Sequence, residues 1–126
     1  GRIALVSSYD GKKALPGDAS YACAKFALNA FGEALRQELS PRGIYTSLIL
    51  PGRVDTDMIR ELRLPRIQPP IPPEKVARAI AHALQRRKAE VILPPQVLLL
   101  HFVNFLHPSL GDLAVLLFHL QGWEKS

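Results

Sequence analysis

Residues 2–50 decide the fold, because they hold two short apolar runs with one long helical pattern between them. The first run reads RIALVSS at 2–8, and the second reads IYTSLIL at 44–50. Apolar residues recur at helical spacing over 19–40, after a loop marked by glycine and proline at 9–18. Two buried strands joined by a crossover helix are typical of a parallel pair.

The rest of the chain extends this pattern. An irregular, proline-rich stretch at 53–72 precedes a predicted helix at 73–88 and a short strand at 90–93. The order strand, helix, strand, helix, strand predicts an α/β fold with a parallel sheet and helices packed on its faces. In such sheets the ligand site lies beyond the carboxyl ends of the strands, which here carry Ser7-Ser8 and Pro51-Gly52.

Composition and charge exclude several classes of protein. The chain has 126 residues, is 48% hydrophobic and carries a formal charge of +5, as expected for one globular domain. The single cysteine, Cys23, excludes an intrachain disulfide framework, and we expect its side chain to face the core. The four histidines lack the spacing of a zinc site, so we predict no metal.

The excess positive charge is local. Residues 53–88 hold nine Lys/Arg and four Asp/Glu, a net charge of +5, with no aromatic residue among them. This pattern favours a solvated helix face over a nucleic-acid surface. No signal or transit peptide is visible, and we expect a cytoplasmic protein.

Three polar side chains are candidates for acid–base chemistry. Tyr21 and Lys25 lie at spacing i,i+4 and therefore share one face of the first helix. A nearby ammonium favours the phenolate form of a tyrosine, so the pair is a plausible general acid/base. Ser8 lies 13 residues before Tyr21, at the end of the preceding strand. Taken singly, Ser8 is better explained as a turn or capping residue, and a surface contact is the alternative interpretation of the Tyr–Lys pair.

A further element follows the second strand, where the chain reads PGRVDT at 51–56. Glycine at position 52 permits a close approach of the backbone to a ligand, and Thr56 offers a hydroxyl group. A plain turn after a strand is the alternative interpretation.

Taken together and in order, GRIALVSSYDG, SYACAK, RGIYTSLIL and PGRVDTDM resemble the short-chain dehydrogenase/reductase family. The resemblance implies the C-terminal half of a Rossmann-type doubly wound sheet and hydride transfer between NAD or NADP and an alcohol or ketone. It assigns Ser8 to orient the substrate, Tyr21 as acid/base, and Lys25 to bind the nicotinamide ribose and lower the Tyr21 pKa. It also places Tyr21, Pro51, Gly52, Val54 and Thr56 against the cofactor, and Tyr9 and Met58 against the substrate.

The chain departs from the family pattern in one respect. No Gly-x-x-x-Gly-x-Gly turn occurs in residues 1–126, and the residues that choose between NAD and NADP are not identifiable. The resemblance thus implies that 1–94 is the catalytic half of a larger cofactor-binding domain, with its first strands as the fifth and sixth of seven. We expect this chain alone to be inactive. The alternative is a non-catalytic binding or interaction module that keeps the family's sequence.

The C-terminal extension, 95–126, is unusually apolar. Eight of ten residues at 97–106 and eight of eleven at 110–120 are apolar, and each run is too short to span a bilayer. We predict helices here, serving as a lid, a subunit interface or a peripheral membrane contact through 97–120. The extension also suggests an apolar alcohol or ketone substrate. The family resemblance implies a homodimer or homotetramer.

Overall fold

The structure is a computed structural model, and it describes residues 1–59 and 69–120. It contains three parallel strands, β1 (Arg2–Val6), β2 (Tyr45–Pro51) and β3 (Glu90–Leu93), in the order β1-β2-β3. The predicted parallel sheet is confirmed, with Leu5 opposite Leu48 and Leu50 opposite Ile92.

Four α-helices accompany the sheet in the described parts of the chain: α1 (Ala19–Leu39), α2 (Pro73–Arg86), α3 (Val97–Leu106) and α4 (Pro108–Leu117). The first two are the predicted crossover helices, and the last two confirm a helical C-terminal segment. The predicted loop 53–72 is anchored at its ends by a parallel bridge between Val54 and Ile71. Residues 60–68 of that loop and 121–126 of the extension lie outside the described residues.

The core lies on the two faces of β2, the most deeply buried strand. Ile49 packs with Val76 and Ala83 of α2 in a cluster of fully or nearly fully buried residues. On the other face Leu48 approaches Gly32 of α1 so closely that a Cβ there would lie 2.6 Å from the leucine Cδ2. Gly32 therefore fixes how near α1 lies to the sheet.

The side of α1 that faces away from the sheet carries exposed apolar residues. Ala22 and Gly32 are its buried residues, whereas Phe26 and Phe31 are 45% and 56% exposed. Cys23 is exposed as well, so the expectation that it faces the core is wrong. Apolar residues occur on two faces of α1, and the sheet covers only the face that carries Ala22 and Gly32.

The two C-terminal helices pack against each other as an apolar hairpin, residues 97–118. Ten large apolar side chains of this hairpin are exposed, among them Leu99 at 69%, Phe105 at 78% and Leu116 at 69%. Its one carboxylate, Asp112, forms a 2.6 Å ion pair with Lys13 of the loop before α1. Across residues 1–59 and 69–120, no helix combines the length and hydrophobicity needed to cross a membrane.

Candidate active site

The carboxyl ends of the three strands meet at one edge of the sheet, as parallel pairing requires. Ser7 and Ser8 follow β1 there, Gly52 follows β2, and Val97 begins α3 after β3. These segments enclose a cavity of about 460 Å³. The cavity contains all but one of the predicted site residues: Ser8, Tyr9, Tyr21, Pro51, Gly52, Val54, Thr56 and Met58.

Ser8 is held by the turn that follows β1. Its backbone is extended, and its side chain accepts a 3.1 Å hydrogen bond from the Asp10 backbone N–H at the start of the one-turn 3-10 helix Tyr9–Gly11. Only 5% of Ser8 is exposed. Its hydroxyl group is hydrogen-bonded to the phenol of Tyr21. The structure thus joins two side chains that the sequence separates by 13 residues.

Lys25 stands behind Tyr21. Its ammonium lies 5.4 Å from the centroid of the Tyr21 ring, as the i,i+4 spacing predicts, but Lys25 does not line the cavity. The Ser7 hydroxyl donates a 3.3 Å hydrogen bond to the Lys25 carbonyl and so ties the end of β1 to α1.

The turn after β1 lies directly against α1, and Gly11 makes this possible. A Cβ on Gly11 would lie 2.7 Å from the Lys25 carbonyl oxygen and would also overlap the Asn29 side chain. Only a residue without a side chain fits at this contact. Gly11 therefore sets the distance between the segment that carries Ser8 and the helix that carries Tyr21.

The pKa of Tyr21 is raised above its ordinary value of 10.0. Burial is the main cause, the hydrogen bond from Ser8 acts in the opposite direction, and the carboxylates of Asp10 and Asp18 add to the rise. The resemblance implied a lowered pKa through Lys25, and the net direction here is the reverse. Burial and two nearby carboxylates raise the pKa, and the hydrogen bond from Ser8 is the group that lowers it.

The second wall of the cavity is the segment after β2. The Gly52 N–H donates a 2.6 Å hydrogen bond to the Leu93 carbonyl, and Ile71 pairs with the backbone of Arg53 and Asp55 at 2.8 and 2.9 Å. The Thr56 hydroxyl donates to the Val54 carbonyl at 3.3 Å. These backbone bonds hold the predicted cofactor-contact residues against one side of the cavity.

The two residues predicted to contact the substrate, Tyr9 and Met58, differ in burial. Tyr9 is 4% exposed, and burial raises its pKa to about 12, with the nearby His101 backbone of α3 acting in the opposite direction. The Tyr9 phenol therefore stays neutral at physiological pH. Met58, in contrast, is 65% exposed at the mouth of the cavity. Tyr9 thus lies between the cavity and the apolar hairpin, and Met58 borders the opening.

Three charged residues of the cavity were missed by the sequence reasoning: Asp10, Asp18 and Arg53. Burial raises the pKa of Asp10 to about 6 and that of Asp18 above its ordinary value, and burial lowers that of Arg53. A signal was present, since all three lie in the loops that follow the first two strands. Within the described ranges no cluster of three or more His, Cys, Asp or Glu is arranged to hold a metal.

Comparison with known proteins agrees with this fold. The sequence profile of the family described as short chain dehydrogenase matches residues 1–66. The chain belongs to this family. A structure of a short chain dehydrogenase from Burkholderia cenocepacia, in complex with NADP, superposes with a TM-score of 0.78 at 27% identity over 92% of this chain.

Two curated relatives illustrate the range of the short-chain dehydrogenases that this chain resembles. It is 38% identical over 63 residues to an acetoacetyl-CoA reductase of Cupriavidus necator, covering 50% of this chain and 26% of the relative. It is 33% identical over 105 residues to the oxidoreductase YbbO of Escherichia coli, covering 75% of this chain and 39% of the relative. The matched region also covers 47% of the Burkholderia structure, so the chain spans half or less of the length of these relatives.

Proposed function

We propose that this chain is the catalytic and substrate-binding part of an oxidoreductase that transfers a hydride between NAD or NADP and an alcohol or ketone. The observation that carries the proposal is the Ser8–Tyr21 hydrogen bond inside a cavity of about 460 Å³, with Lys25 behind the phenol. Family membership supports the reaction class.

The cavity fits the nicotinamide half of such a cofactor. Pro51 and Val54 give it an apolar wall of the kind that packs on a nicotinamide ring, and Thr56 offers a hydroxyl for a carboxamide. The Lys25 ammonium would bind ribose hydroxyls. When bound, the nicotinamide supplies or accepts the hydride. The preference between NAD and NADP stays open.

Proton transfer is the task of Tyr21. Its raised pKa keeps the phenol neutral near pH 7, so it can donate a proton to the carbonyl oxygen of a ketone as negative charge develops there. Ser8 would hold the same oxygen through its hydroxyl group. In the oxidation direction the step runs in reverse, and the phenolate form of Tyr21 accepts the proton from the alcohol.

The remainder of the substrate would be apolar. The cavity continues from Tyr21 along side chains that share this character: Leu15, Met58, Ile59, Val97, Leu100 and Leu120. A hydrophobic ketone or alcohol would bury its chain against them.

The decisive experiment replaces Tyr21 with phenylalanine in the native gene product. We expect kcat for ketone reduction to fall by about 100-fold to 10,000-fold, with cofactor binding unchanged, because only the acid/base is lost. Tyr45→Phe is the matched control, since Tyr45 lies outside the cavity and accepts a 3.2 Å hydrogen bond from Arg87. Retained turnover in Tyr21→Phe would reassign the acid/base.

A binding or interaction module without catalysis is the competing function. It predicts that the native product binds neither NADH nor NADPH and turns over no ketone, with Tyr21→Phe indistinguishable from wild type. We further propose that residues 1–94 form the catalytic half-domain and 95–126 an extension, and that the 126-residue chain alone is inactive.

The remaining proposals concern assembly and location. We propose a homodimer or homotetramer in the cytoplasm, with the apolar hairpin in the contact between subunits, because ten exposed large apolar side chains exceed what a monomer usually exposes. Light scattering of wild type and Phe105→Glu tests this, and the variant should dissociate. A dissociated protein that floats with lipid vesicles would favour peripheral membrane contact through 97–120 instead.

A further inference from the structure

One carboxylate in the cavity is buried, and one of its two oxygens has no hydrogen-bond partner among the described residues. Asp18 is 2% exposed and lines the cavity. Its Oδ1 accepts a 3.2 Å hydrogen bond from the Leu15 N–H, whereas its Oδ2 is buried with no hydrogen-bond partner among the described residues. A buried acceptor without a partner is costly, so it marks a position where a ligand can donate a hydrogen bond.

Arg53 supplies a complementary group in the same cavity. Its guanidinium interacts electrostatically with both Asp10 and Asp18, and these carboxylates raise its pKa against the lowering effect of burial. Both Arg53 and Asp18 line the cavity that contains Tyr21. A small group that reaches both side chains would meet an acceptor on Asp18 and donors on Arg53.

The charges restrict what that group can be. With both carboxylates ionised the cluster of Asp10, Asp18 and Arg53 carries a net charge of −1, which disfavours a carboxylate or phosphate. An ammonium group could donate to Asp18 but has no lone pair with which to accept from Arg53. A hydroxyl group both donates to Asp18 and accepts from Arg53, and it adds no charge.

The position of the pair relative to Tyr21 fixes where this hydroxyl lies on the substrate. Asp18 immediately precedes α1 and is three residues from Tyr21, which is about 4.5 Å along the helix axis. We propose that Asp18 and Arg53 bind a hydroxyl group a few bonds from the reacting carbon, so that the preferred substrates are hydroxylated ketones and diols with an apolar remainder. This inference rests on the proposed function and specifies its substrate class.

The test compares three straight-chain methyl ketones in the native gene product: one without a hydroxyl, one hydroxylated next to the carbonyl, and one hydroxylated one carbon further. We expect kcat/KM about tenfold higher for at least one hydroxylated ketone. Asp18→Asn keeps an acceptor for the Leu15 N–H but replaces the second carboxylate oxygen, so the ratio of kcat/KM between the hydroxylated and the plain ketone should fall to near one. The control is Asp55→Asn, which is exposed and outside the cavity, and it should keep the preference.

A second variant and a binding measurement complete the design. Arg53→Met should lose the same preference, which covers the case in which Asp18→Asn folds poorly. Calorimetric titration of an aliphatic alcohol and the corresponding diol should show about tenfold tighter diol binding in wild type only. The inference is overturned if the wild-type protein shows no preference for hydroxylated ketones, or if Asp18→Asn and Arg53→Met both keep that preference. Tighter diol binding without turnover of any ketone would support the site and contradict the proposed function.

Discussion

Replacing Gly11 with alanine tests whether the contact between the turn after β1 and α1 positions the catalytic pair. The added methyl group would lie 2.7 Å from the Lys25 carbonyl oxygen, where an ordinary contact is 3.4 Å or more, so the two backbones must separate by about 0.7 Å. The carbonyl belongs to helix backbone and cannot rotate away. Overpacking of this kind costs about 1–3 kcal/mol of stability.

The same displacement moves Ser8, which caps the turn, away from Tyr21. A misplacement on the order of 1 Å in an active site costs up to about 100-fold in rate. We therefore expect Gly11→Ala to lower kcat for ketone reduction by roughly 10-fold to 100-fold. Initial rates of NADH or NADPH oxidation measure kcat, and urea unfolding measures the free energy of unfolding.

Gly43→Ala is the matched control, because it changes a glycine far from the cavity. Gly43 has φ +69°, and no atom lies within 4 Å of the position that a Cβ would take, so alanine there costs about 1–2 kcal/mol through backbone strain alone. It should destabilise the fold comparably and leave kcat unchanged. Wild-type kcat in Gly11→Ala would refute the reasoning, as would an equal loss in both variants.

Three further predictions concern the charge of Asp10, the charge of Lys25 and the activity of the isolated chain. Burial raises the pKa of Asp10 from 3.8 to about 6, so the folded state binds its proton more tightly and loses stability as the pH rises from about 4 to about 6. Asp10→Asn should remove this pH dependence and raise the free energy of unfolding at pH 7 by about 2–3 kcal/mol. Urea unfolding at several pH values measures it. The exposed Asp55→Asn variant should keep the pH dependence. Lys25→Met should raise KM for the cofactor about tenfold by removing a charge-assisted hydrogen bond, whereas exposed Lys75→Met should not. The isolated 126-residue chain should oxidise neither NADH nor NADPH in a spectrophotometric assay, and measurable turnover would contradict the half-domain proposal.

The sheet and the pairing of Ser8 with Tyr21 were predictable from the sequence because they depend on local patterns. Apolar runs of five to seven residues between helical segments permit few arrangements other than parallel strands. Ser8 then falls at the strand end that faces the start of α1, where Tyr21 and Lys25 share a helical face. Chain connectivity thus brings these residues together.

Other features could not be predicted because they depend on contacts distant in sequence. The direction of the Tyr21 pKa shift results from burial together with Asp10 and Asp18, and their distance from the phenol is set by the folded loop. The exposure of Cys23 and Phe31 depends on which side of α1 meets the sheet, and Gly32 decides that side. The apolar pattern of a helix alone does not show how much of the helix's apolar surface packs against the sheet.

Two adjacent lysines in the loop before α1 allow the detachment of that loop to be followed by limited proteolysis. Lys12 pairs with Glu90 of β3 at 2.8 Å, and Lys13 is 9% exposed and pairs with Asp112 of α4. Trypsin must draw a lysine and its flanking backbone into its own cleft, so neither bond is cut while both side chains are held. The rate of tryptic cleavage between Lys12 and Ala14 therefore measures how often the catalytic loop detaches from the sheet and the hairpin.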